Sequence, residues 1–260
     1  MQPELYAHFH PEERPFVDKA WDWVVRAAER YAVKRTDFLD PRQAFILHSL
    51  ANRHGGVRVG FYGGYEEAER KRAIIAPEGW DMETDEYGVR VLSITSDDAK
   101  FAELQHGDFL GALLGLGLKR DKIGDIHKGD GHCHVLIAEE MADYANVHLR
   151  QVHRVRVQTD IIPPERLQIV PPRLEHIGLT VSSLRLDGIL SDVYRLSRGK
   201  VTEPIKNGRC RVNWKVEEDP AKPLKEGDVV SFQGFGRFRV IGVEGETKKG
   251  KIRVKIGKYV

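Results

Sequence analysis

Two Pro-Pro pairs, Pro163-Pro164 and Pro171-Pro172, stand in one short stretch, "DIIPPERLQIVPPR". Proline lacks the backbone N–H that helices and inner strands use, and it drives the residue before it out of the helical region. No helix or central strand can run through such a stretch, so the 260-residue chain must divide there. Residues 163–181 read as a stiff connector. The two sides differ in charge. From Val181 onward 18 Lys and Arg face 10 Asp and Glu, a net +8, whereas the first 180 residues carry −6 within an overall +2. That asymmetry suits a C-terminal part that meets a polyanion, nucleic acid first among them.

A hydrophobic content of 41% supplies ordinary folded cores. The opening "MQPELYAHFHPEERPF" carries charges and prolines where a secretory signal needs an apolar run. "LGALLGLGL", residues 110–118, falls well short of the roughly 20 residues that span a bilayer. The expectation is a cytoplasmic protein with no membrane segment. Cys133 and Cys210 alternate within strand-like sequence, which favours reduced, buried thiols over a disulfide or zinc site.

Periodicity outlines an α+β chain. Residues 1–80 hold a helix over 15–31, a second over 41–52 with Asp40 as N-cap, and a hairpin of strands at 57–63 and 70–76. Residues 81–162 read strand, helix capped by Asp108, strand, strand, helix, strand. This βαββαβ order describes a ferredoxin-like sandwich of the kind RNA-recognition modules use, although the fold alone establishes no binding. Residues 182–260 open with a short amphipathic helix striped by Leu186, Ile189, Leu190 and Val193. Ser197 caps a second helix, and strands with a C-terminal hairpin around "EGETKKGK" follow.

"GRCRVNWKV", 208–216, reads as one strand with two faces: Arg209, Arg211, Asn213 and Lys215 on one, Cys210, Val212, Trp214 and Val216 on the other. The polar face is either solvated or turned to a partner.

The run "LRLDGILSDVYRLSRGKVTEPIKNGRCRVNWKV" followed by "LKEGDVV" resembles the S4 RNA-binding domain in its order of helix, Ser-Arg cap, helix, Lys-Asn-Gly turn, strand and Gly-Asp turn. "GYEEAERKRAII", "HGDFLGALLGLGLKRDKIGDI" and the C-terminal "GFGRFRV" with "GETKKGKIRV" are similar to YlmH-type bacterial proteins, in which an S4 domain follows an RRM-like domain. The resemblance implies binding to structured ribosomal RNA of the large subunit, with tRNA a further RNA partner. It also implies a role in handling stalled peptidyl-tRNA complexes during ribosome-associated quality control. On the matching positions it implies an RNA groove lined by Arg185, Ser197, Arg198, Lys206, Asn207 and Gly208. Lys200 and the Arg209, Arg211, Asn213, Lys215 face would extend it. Lys119, Arg120 and Lys122 form a possible second RNA contact. Pro204, within the second helix, puts the aim of Arg198 and Lys200 in question, since a helix-interior proline removes a hydrogen bond.

The rival from another class is a protein-interaction adaptor in cell division, docking through the acidic N-terminal region. Other signals weaken on inspection. "HIG" at 176–178 has no second synthetase signature, and Asp187, in an Arg-Leu-Asp setting like that of pseudouridine synthases, reads better as a helix residue paired with a cation. Alternation sends His132 and His134 to one face and Cys133 to the other, so with His127 they make no compact tetrahedral metal set. With no phosphate loop, nucleophile elbow or HExxH helix, the expectation is a non-catalytic protein without cofactor or metal, and without DNA specificity.

Overall fold

The computed structural model describes residues 6–81, 87–247 and 250–260. The chain forms two compact units, Met1–Pro171 and Pro172–Val260.

The first unit opens with α1 (Arg14–Arg30), which buries Val17, Ala20, Val24 and Ala27, and β1 (Lys34–Leu39). Next come α2 (Pro41–His54), β2 (Val57–Tyr62) and β3 (Lys71–Pro77). Asp40 caps α2 through a reciprocal box with Gln43. The sheet order is β1-β3-β2, so the expected hairpin gains a third strand. The "KRTDFL" strand escaped the sequence reading because its charged opening hides a buried end, Phe38 and Leu39.

The middle strands are β4 (Val89–Thr95), β5 (Ile123–Lys128), β6 (His132–Ala138) and, after the small hairpin β7 (Gln151–Val152) and β8 (Val155–Arg156), β9 (Gln158–Ile162). Their order, β5-β6-β4-β9, is that of a ferredoxin-like sheet, with α3 (His106–Gly115) and α4 (Glu139–His148) on one face. Asp108 lies one turn inside α3 and accepts from the Gln105 N–H; it is not the N-cap.

The other face of this sheet is filled. Phe38 packs with Val91, Leu136 and Ala138, and Leu167 lies against the same layer. Beyond it, His134 Nδ1 accepts from the Gln168 N–H at 3.0 Å and His127 Nδ1 from the Val170 N–H at 3.2 Å. Buried Arg72 joins the two sheets: it donates to the carbonyls of Thr36 (2.8 Å) and Gly88 (2.7 Å) and pairs with Glu140 at 3.0 Å. Residues 1–80 and 81–162 are therefore one body.

The second unit begins with a correction. Residues Leu174–Val181, read as the end of the connector, form β10, paired along its length with the last strand. Alternation of Ile177, Leu179 and Val181 toward the core is the physical reason. Then follow α5 (Leu186–Tyr194), α6 (Arg198–Lys206), β11 (Cys210–Val212), β12 (Lys215–Val216), β13 (Val229–Phe232), β14 (Gly236–Glu246) and β15 (Ile252–Tyr259). They build one antiparallel sheet, β10-β15-β14-β13-β11-β12, under the two helices. Lys248 and Lys249, in the expected "EGETKKGK" turn, lie outside the described residues.

Candidate nucleic-acid interface

Burial of Leu186, Ile189, Leu190 and Val193 pins α5 to the sheet, and the N–H groups of Leu186 and Asp187 at its start donate to the Lys222 and Pro220 carbonyls. Arg185 occupies the N-cap position with extended backbone. Its guanidinium donates twice to Asp187, Nε to Oδ1 at 3.1 Å and an Nη to Oδ2 at 2.7 Å, and the Gly188 N–H adds a third bond at 2.7 Å. Asp187 is only 5% exposed. The Arg185 hydrogen bonds hold its carboxyl below the usual range against the cost of burial, and the nearby positive charge of Arg198 assists. A bidentate arginine–carboxylate pair is stiff, so Arg185 projects its remaining donors in a set direction.

Arg198 opens α6 from the other side. A side-chain carbon on Gly188 would lie 3.5 Å from an Arg198 guanidinium nitrogen, an ordinary contact that places this guanidinium beside the first turn of α5. The Arg198 guanidinium thus lies near the carboxylate that Arg185 grips. Ser197 holds the N-cap position of α6, but its hydroxyl makes no capping bond and is exposed, as are Arg198 and Lys200. Pro204 does not delay the helix, which runs from Arg198 to Lys206. Lys206 and Asn207 are exposed, and Gly208, at φ +70, turns the chain where glycine is favoured.

The stretch 208–216 is not one strand. Asn213 and Trp214 both have positive φ, 51° and 64°, and Val212 faces Lys215 in the ladder, so β11 and β12 form a two-residue hairpin. Two left-handed residues in succession are the requirement of a type I′ turn, and Asn at the first is the usual solution. The expected faces break at this turn. Cys210 and Val212 enter the core, but Trp214 does not, and Val216 is buried apart from that cluster. Asn213 is a structural residue: it donates to Asp228 at 2.8 Å and accepts from the Val229 N–H at 2.9 Å. Arg211 lies between the two core residues on the opposite face and donates to the Trp214 carbonyl at 3.1 Å, while Lys215 and Arg209 are exposed. Arg211 therefore points away from α5 and α6 and does not extend their surface.

The proposed second contact changes too. Lys119 is exposed, but Lys122 bridges Asp37 at 2.5 Å and Glu140 at 2.7 Å. Arg120 is pushed down to about 10 by burial and the neighbouring Arg70 charge, and it donates to the Ile123 carbonyl. Among the described residues no group of three or more His, Cys, Asp or Glu is placed to hold a metal ion, and no helix is long and apolar enough to cross a membrane. Cys133 and Cys210 are both buried free thiols, and burial pushes each up to about 12.

Comparison with known proteins extends over most of the chain. Residues 12–80 match the family model described as "YlmH, N-terminal", and residues 82–165 the one described as "Putative RNA-binding domain in YlmH". A curated Bacillus subtilis protein named ribosome-associated protein quality control protein P2 is 40% identical over 251 residues, 96% of this chain and 97% of that one. A solved structure titled cell division protein ylmH, from Streptococcus pneumoniae, superposes with a TM-score of 0.53 at 27% identity, covering 63% of this chain and 99% of that one.

Proposed function

Since the chain belongs to the YlmH family, we propose that it is a non-catalytic RNA-binding factor of the large ribosomal subunit that acts on stalled complexes in ribosome-associated quality control. The observation that carries this reading is the bidentate Arg185–Asp187 pair at the start of α5, with the Arg198 guanidinium beside Gly188, in the part of the chain with the positive excess. Structured RNA is gripped through phosphates and 2′-hydroxyls, for which rigidly held guanidiniums are suited. The name of the Bacillus subtilis relative supports the ribosomal setting.

The family's RNA-binding model falls on residues 82–165. There the sheet face that RRM-like modules use to stack bases is occupied by Phe38, Leu167 and the strap held by His127 and His134. We therefore assign the primary RNA grip to α5, α6 and the turn after them: Arg185, Arg198, Lys200, Lys206 and Asn207. Any contact from the middle domain would use other surfaces, Lys119 among them.

Sucrose-gradient sedimentation with purified large subunits tests this. Co-migration at low salt, lost at high salt and weakened by Arg185→Ala with Arg198→Ala, is the expected result. A protein that stays at the top of the gradient at every salt concentration would refute it and favour the adaptor reading.

A further inference from the structure

The side of the C-terminal sheet turned away from α5 and α6 carries its own row of cations. Core residues Cys210, Val212, Val230, Phe232, Phe238, Val240, Val254 and Ile256 all point toward the helices. Alternation therefore places Arg211, Ser231, Arg237, Arg239, Arg253, Lys255 and Tyr259 on the opposite face. Pairing aligns them across strands: Arg211 faces Ser231, Ser231 faces Arg237, and Arg239 faces Gly257. Carboxylates also approach: Glu244 shares a shallow hollow with Arg253 and Lys255, and Glu226 lies near Gly242. Five cations outweigh them.

This face also has rings. The Arg237 guanidinium lies 4.2 Å from the centre of the Tyr259 ring and 5.7 Å from that of Trp214. Trp214 sits at φ 64°, a region that disfavours a bulky residue, and its ring is half-buried outside the main core. Neither turn geometry nor core packing accounts for a tryptophan at this position. A ring held beside an arginine at the edge of a basic sheet is, in contrast, a platform on which an unpaired base can stack while neighbouring cations hold its phosphates.

We propose that this outer face is a second RNA-binding surface, in which Arg211, Arg239, Arg253 and Lys255 take the backbone and the Trp214–Arg237–Tyr259 ladder takes an unpaired base. The inference rests on the RNA-binding reading above and deepens it: the C-terminal unit would hold RNA on both sides of its sheet. An acidic protein would match the charge but leaves the ring ladder without a role.

The test uses the full chain with two probes, intact large ribosomal subunits and protein-free RNA extracted from them. Arg239→Gln, Arg253→Gln and Lys255→Gln are combined, since all three side chains are exposed. The expected result is an unchanged melting temperature, at least tenfold weaker binding to both probes, and a log–log salt slope shallower by about 2. Trp214→Ala should weaken binding without changing that slope, because the ring carries no charge. Wild-type affinity and slope in the triple variant, with loss in Arg185→Ala/Arg198→Ala, would overturn this proposal alone. Loss on subunits but not on free RNA would assign the face to a ribosomal protein and also overturn it. Failure of the wild-type chain to bind either probe would remove the RNA-binding reading itself, and this one with it.

Discussion

Asn213 and Trp214 divide one turn between them. Asn213 tolerates the left-handed backbone and ties the hairpin to Asp228 and Val229, whereas Trp214 occupies it at some cost and packs on Arg237. Asn213→Ala should therefore lower stability by about 1 to 2 kcal/mol, and Trp214→Ala by about 1 kcal/mol or less, since its ring lies outside the main core. Phe238→Ala, at a fully buried site, should cost about 3 to 5 kcal/mol. Urea unfolding of the three variants checks the order, and a Trp214→Ala loss equal to that of Phe238→Ala would contradict it. Asp187 separates charge from positioning. Asp187→Asn makes the site more positive, so attraction alone predicts tighter RNA binding; if the carboxylate aims Arg185, affinity should fall instead. Titration of labelled ribosomal RNA at fixed salt decides between the two.

Among the elements, the segment that crosses the middle sheet depends on neutral histidine. His134 accepts the Gln168 N–H through Nδ1, which it can do only when that nitrogen is unprotonated. Burial lowers its pKa, with the rings of His132 and His127 adding to the effect. The unfolded chain therefore binds the proton more readily than the folded one, so the His134 contribution is present above its unfolded pKa and is lost as pH falls through the folded value. Stability of the wild type should decline on acidification from about pH 7, and a His134→Gln variant should lose part of that slope. Identical slopes from pH 7 to 5 would rule out this role. In α6, Pro204 leaves the Lys200 carbonyl without its helical partner. Pro204→Ala should raise the thermal midpoint, and a lower midpoint would show that the ring's rigidity outweighs the lost bond.

At the scale of the molecule, the boundary near Pro172 predicts which pieces stand alone. A fragment from Pro172 to Val260 contains β10 and its full ladder with β15, and should melt cooperatively. A fragment starting at Ser182 lacks that strand, leaves the β15 edge unpaired, and should aggregate or melt far lower. Equal melting of the two would show that β10 adds nothing to the core. By itself the sequence marked a break at the Pro-Pro stretch, because prolines act on their own backbone, but its divisions at 80/81 and at 182 are not those of the two units. It determined α1, α2, α5 and the strand–helix order of the middle region, because apolar periodicity and caps are local. The charge contrast between the two ends was legible for the same reason. Tertiary structure alone decided that β1 joins the N-terminal sheet, that Lys122 and Arg120 turn inward, and that β10 belongs to the C-terminal sheet. It alone converted one apparent strand into a hairpin, whose turn sets Lys215 opposite Val212 and so off the face that carries Arg211. Most of these depend on a partner distant in sequence, such as Asp37 and Glu140 for Lys122 or β15 for β10, and local patterning carries no record of which distant group will arrive.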